Sequence, residues 1–90
     1  MPKFLVVHPL RAPITIEEGA PVGKAAKANS TLDAYWVNSW VQLNEEGKVV
    51  KIFCQWNATN AEAVRQVLMK VPAPFEGPYP MAVVDSEDYR

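Results

Sequence analysis

His8 and Cys54 are the only imidazole and the only thiol in the chain, and both are donor types that suit a transition metal. They also frame a nucleophile hypothesis. A cysteine attacks as its thiolate, and lowering its pKa needs a neighbouring base or positive charge, a role for which only His8 is at hand. Plain structural readings stand beside both ideas. A single strand histidine is most often a hydrogen-bonded structural residue, and a cysteine flanked by Phe53 and near Trp56 is usually a small buried hydrophobe.

A second group can recognise rather than react. Trp36, Trp40 and Trp56 offer flat faces for an aromatic ligand, and Asn38 supplies a polar group to orient it. The same rings would equally serve to fill a core, since tryptophan is enriched in both settings. A buried amide at Asn38 needs partners that an apolar wall does not provide, which favours a ligand. The acidic pairs are unpromising, because Glu45 and Glu46 fall on a turn and Glu17 and Glu18 on a loop, away from any arrangement of paired catalytic carboxylates.

The elements that must position these residues can be read from pattern. Lys3 to His8 is an apolar run rich in valine, and Pro9 removes a ladder donor, so a first strand is expected to end there. Thr15 and Glu18 have capping-box spacing, but Gly19, Pro21 and Gly23 interrupt the region, which predicts a loop and then a short helix from Pro21 through Ala28. Tyr35–Leu43 and Val49–Trp56 have strand composition. Asn44-Glu45-Glu46-Gly47-Lys48 between them is the pattern of a three-residue hairpin loop with glycine in the left-handed conformation. Counting back from an Asn44–Lys48 pair puts Trp40 opposite Ile52, Asn38 opposite Cys54 and Trp36 opposite Trp56, all on one face. Thr59 and Asn60 are good caps for a helix carrying Val64, Val67, Leu68 and Val71, stopped by Pro72. Pro72–Pro80 reads as an extended loop, Met81–Val84 as a last strand and Asp85–Arg90 as an acidic tail.

The resulting β-α-β-β-α-β order, over residues 1–90 as a single domain, predicts a ferredoxin-like α+β fold with a four-stranded antiparallel or mixed sheet. Strands one and three are expected to be adjacent and parallel, with His8 and Cys54 toward the same ends. Two short helices cover one face, and the expected choice is the face bearing Val37, Val41, Val49 and Phe53. Trp36, Trp40, Ile52 and Trp56 would then lie bare, a larger apolar patch than monomers usually tolerate. A second copy packing sheet to sheet would cover it, so a homodimer is expected, with a small cavity between the two sheets. Such a dimer would bring two copies each of His8 and Cys54.

Nine Lys and Arg against ten Asp and Glu give a net charge of −1, with no basic cluster to meet a phosphate backbone, so nucleic acid is not an expected partner. No stretch is long and apolar enough for a signal core or a membrane span, and a free thiol suits a reducing compartment, which together predict a cytoplasmic protein without a membrane partner.

Trp36-Val37-Asn38-Ser39-Trp40, then Lys51-Ile52-Phe53-Cys54-Gln55-Trp56-Asn57-Ala58 and Asn60-Ala61-Glu62-Ala63-Val64-Arg65, resemble a bacterial domain-of-unknown-function family of dimeric ferredoxin-like proteins, some of them nickel-binding. The opening Met1–Val6 and closing Asp88-Tyr89-Arg90 share in the likeness. More broadly the pattern is similar to the dimeric α/β-barrel superfamily, which includes cofactor-independent monooxygenases and isomerases. The resemblance implies nickel or another transition metal as a cofactor. Asn38, however, stands where the family usually has a histidine in its Trp-x-x-Ser hairpin motif, and an amide oxygen is a poor nickel ligand.

Two functions follow as expectations. One is a dimer that binds a small ligand through Trp36, Asn38, Trp40, Cys54 and Trp56, or a metal through His8 and Cys54. The other is a cofactor-independent monooxygenase or isomerase acting on an aromatic or polyketide-like compound, which requires His8 to face the cavity as its base.

Overall fold

The computed structural model describes all residues, Met1–Arg90. Strand β1 (Lys3–Ile14) leads through a turn of 3-10 helix at Glu17–Gly19 into helix α1 (Ala20–Asn29). The hairpin of β2 (Ala34–Leu43) and β3 (Val49–Ala58) follows, then helix α2 (Ala61–Leu68), strand β4 (Glu76–Met81) and a final 3-10 turn at Ser86–Tyr89. The sheet order is β2-β3-β1-β4, and every neighbouring pair is antiparallel. This is an α+β arrangement compatible with the ferredoxin-like fold.

Strands β1 and β3 are adjacent, but the expected parallel pairing is wrong. In this order β2 runs with β1 because α1 carries the chain back between them, and the tight β2–β3 hairpin then reverses β3. Strand β1 also does not end at Pro9. It continues to Ile14, with Pro9 paired to Lys51 and Ile14 to Val49, the intervening residues bulging outward. The last strand is not Met81–Val84 but Glu76–Met81, within what was expected to be loop, and Ala82–Val84 lie outside it. Pro78 and Pro80 are tolerated there because β4 is an edge strand whose outer side needs no donors.

Local signals at the ends of the elements are realised as hydrogen bonds. Thr15 and Glu18 make the capping box: Thr15 N–H donates to Glu18 Oε1 at 2.9 Å and Glu18 N–H to Thr15 Oγ1 at 3.1 Å. These bonds hold the Glu18 carboxyl below its ordinary pKa. Asn60 caps α2 by accepting from Ala63 N–H at 2.9 Å. In the hairpin, Gly47 has φ +78° and Asn44 N–H donates to Lys48 O at 2.9 Å, the expected three-residue turn.

Beyond that turn the register departs from a straight count. Leu43 faces Val49 and Trp36 faces Trp56 as expected, but between them Trp40 faces Phe53, Ser39 faces Cys54 and Asn38 faces Gln55. One extra residue, Val50 on β3, shifts the pairing near the turn, and Val37 on β2 shifts it back. Two bulges of opposite sense therefore cancel at both ends of the hairpin while moving the middle of β2 to the other face.

On β3 and at Trp36 the helices cover the face opposite to the one expected, whereas Val41 and Val49 lie beneath them and Trp40 lies bare as expected. On β3, Ile52, Cys54, Trp56 and Ala58 alternate with Lys51, Phe53, Gln55 and Asn57, and burying the second set would desolvate a lysine and two amides. The apolar set turns inward instead. The core accordingly joins Phe4 and Val6 of β1 to Cys54 and Trp56 of β3, and packs them beneath Val64, Val67 and Leu68 of α2. Trp56 is 1% exposed. With principal extents of 38 × 35 × 18 Å, the molecule is two layers thick and its second sheet face carries no helix.

Candidate functional site

Helix α1 lies less tightly on the sheet than α2, with Ala26 its only buried residue. Beneath it is a cavity of about 250 Å³. Its floor is the sheet, through His8, Trp36, Ser39, Ile52, Cys54 and Trp56. Its roof is the segment Thr15–Ala26, where Gly19, Ala20, Gly23 and Ala26 present little side chain. These small residues keep the space open: a Cβ on Gly23 would stand 3.5 Å from Trp36 Cη2, and one on Gly19 3.7 Å from Ile14 Cδ1. Ile14, Val22, Val41 and Val49 complete walls that are mostly apolar.

The polar groups on these walls are few. His8 is 4% exposed, and its Nδ1 lies 2.9 Å from Pro74 O. A carbonyl can only accept, so Nδ1 carries the proton, and in the neutral ring Nε2 keeps a free lone pair. Across the floor, Trp36 Nε1 donates to Ser39 Oγ at 2.9 Å and the Ser39 hydroxyl donates to Cys54 Sγ at 3.1 Å. Burial pushes the Cys54 thiol above its ordinary pKa, with the Ser39 hydrogen bond pulling weakly the other way. Cys54 is thus a neutral thiol and a poor nucleophile at physiological pH. Trp56 Nε1 is buried and has no hydrogen-bond partner.

The residues singled out in the sequence are divided by this geometry. His8, Trp36, Cys54 and Trp56 come together around the cavity. His8 pairs with Ile52 and Cys54 with Val6, so the two donors are diagonal neighbours on one face. Asn38 and Trp40, moved by the bulge, pair with Gln55 and Phe53 on the open face, where Trp40 is 74% exposed. Ser39, Val41 and the roof segment take their place. Ser39 had no signal before the bulge was known. The roof did have one, because the small residues Gly19, Gly23 and Ala26 recur at helical spacing.

A four-stranded antiparallel sheet with both helices on one face, and a half-open apolar pocket under the first of them, defines a small α+β protein. The family can be named more closely: the chain belongs to the family described as nickel responsive protein SCO4226-like, whose model matches residues 4–77. No curated protein and no solved structure compared with the chain matches it. No helix is long and apolar enough to cross a membrane.

The donors present do not fit a resident nickel ion in this chain. No group of three or more His, Cys, Asp or Glu side chains is placed to hold a metal. Around the cavity only His8 Nε2 and the Cys54 thiol remain, and the thiol would have to lose a proton that burial holds in place. Both also lie under α1, on the far side of the sheet from its open face, so a copy docked on that face would not bring its own pair to them.

Proposed function

We propose that this protein binds a small, largely apolar molecule in the cavity under α1 and works as a homodimer formed through its open sheet face. The observation that carries the ligand reading is the cavity itself. A half-open apolar space of about 250 Å³ is large for so small a domain, and Gly19, Ala20, Gly23 and Ala26 contribute little side chain to its roof. For scale, an engineered apolar cavity of about 150 Å³ takes up benzene. His8 also lines it, and its Nε2 makes no hydrogen bond within the chain.

The open face supports the dimer reading through Trp40, which the sequence suggested, and through residues that it did not. Trp40, Tyr79 and Met81 are exposed there, and Leu5 and Phe53 are half-buried, a contiguous apolar surface of the kind that marks association. The family description refers to a response to nickel. With the donors above, that response reads as a property of the protein's setting rather than of a metal held in this cavity.

Binding is tested by thermal unfolding with toluene. The natural chain gains thermal midpoint as toluene approaches saturation, while Ala26→Leu, which puts three carbons into the cavity, gains none. No shift in the natural chain would overturn the reading. A second reading, a cofactor-independent monooxygenase or isomerase, has one observation in its favour: His8 lines the cavity with Nε2 free to accept a proton. It predicts that His8→Asn abolishes turnover of a substrate while leaving its binding measurable.

A further inference from the structure

Resting on the cavity reading above, we propose that the ligand is a neutral hydroxylated aromatic ring of one or two rings, a phenol or naphthol in class, whose O–H donates to His8 Nε2.

The lining of the space points to a flat ring. Trp36 and Trp56 both line the cavity, and aromatic faces prefer to stack or meet edge to face with another π system. Opposite them the roof offers Gly19, Ala20 and Gly23 beside Ile16 and Val22, an apolar surface for the other face of a ring. The volume, about 250 Å³, exceeds what benzene occupies in an apolar protein cavity, about 150 Å³, and so accommodates a second ring or substituents.

The chemistry of the walls selects among flat molecules. No Lys, Arg, Asp or Glu lines the cavity, so an ion would enter without a counter-charge and pay its full desolvation. A wholly apolar ring filling the space would strip water from His8 Nε2 without supplying a donor, and an acceptor desolvated without a partner is costly. The other polar wall groups are engaged or weak: Ser39 Oγ already accepts from Trp36 and donates to Cys54, and the thiol is a feeble donor. Because Pro74 O fixes the proton on Nδ1, Nε2 is left as the one strong acceptor. A single hydroxyl on an otherwise apolar ring answers that demand with nothing left over.

The test is calorimetric titration of the full chain with 2-naphthol and with 2-methylnaphthalene, which replaces the hydroxyl by a methyl group of similar size. A hydrogen bond of ordinary net strength predicts that 2-naphthol binds about fivefold tighter. In His8→Asn, whose amide N–H keeps the bond to Pro74 O but which presents no Nε2, the preference should vanish while 2-methylnaphthalene binds as before. Equal affinities in the natural chain would overturn the hydroxyl proposal and leave the cavity reading standing. A preference that persists in His8→Asn would overturn the role of His8. Binding of neither compound would overturn the cavity reading with it.

Discussion

At the scale of single residues, Cys54 illustrates how burial decides chemistry. The side chain sits 8% exposed between the core and the cavity, and the loss of water raises its pKa more than the Ser39 hydroxyl lowers it. The sign for stability follows. A thiol whose folded pKa lies above its unfolded value, about 8.5, contributes fully below that value. The contribution is lost as pH rises through the folded pKa, because the unfolded chain releases its proton first. Urea unfolding should therefore show stability falling as pH climbs above about 8.5, with part of that fall missing in Cys54→Ala. An unchanged alkaline slope in the variant would show that the thiol ionises equally well in the fold. His8 is defined just as locally: one carbonyl, Pro74 O, chooses its tautomer and leaves the cavity-side nitrogen as the acceptor.

At the scale of elements, the sheet is shaped by its irregularities. The paired bulges at Val37 and Val50 set which β2 side chains see the cavity, and the break at Pro9–Ile14 lets β1 run on to the roof. On the far edge, β4 slips register against β1 between Leu5 and Val7. Gly77 sits at that slip with φ +97°, and a Cβ there would stand 2.8 Å from Leu5 O. Both the backbone conformation and the contact exclude a side chain. Gly77→Ala is expected to cost about 1–3 kcal/mol, which for a domain of this size lowers Tm by several degrees. An unchanged melting curve would mean that β4 can re-seat on β1 without loss. The effect should also reach the cavity, because β4 follows directly from the loop whose Pro74 carbonyl holds His8.

At the scale of the whole molecule, two layers leave one sheet face to be covered. The apolar part of that face centres on Trp40 and Phe53, paired across β2 and β3. Around them lie Lys3, Asn57 and Tyr35, joined by hydrogen bonds of 3.2 Å, and Lys51, whose Nζ lies 5.8 Å from the Phe53 ring centre. An apolar centre with a polar rim is the anatomy of a protein interface. Sedimentation equilibrium at micromolar concentration should give twice the chain mass for the natural protein and the chain mass for Trp40→Ser. Because Trp40 is 74% exposed in the single chain, the substitution should leave the helical content of the monomer unchanged. A natural chain that sediments as a monomer would remove the dimer from the proposal and leave the cavity untouched.

Much of this architecture could be read from residue order. The hairpin turn, the Asn60 cap and the apolar stripe of α2 are consequences of spacing between near neighbours, whose physics is local. The assignment of faces was not legible, because it depends on single-residue bulges and on competition between Phe53 and Trp56 for the helices, settled by the Lys51, Gln55 and Asn57 that travel with Phe53. The sequence by itself determined the class of fold and brought His8, Trp36, Cys54 and Trp56 under suspicion. Only the tertiary structure decided that they meet beneath α1, with Asn38 and Trp40 turned to the opposite side. The physical reason is the two-residue period of a strand: one extra residue inverts every side chain until a second restores it.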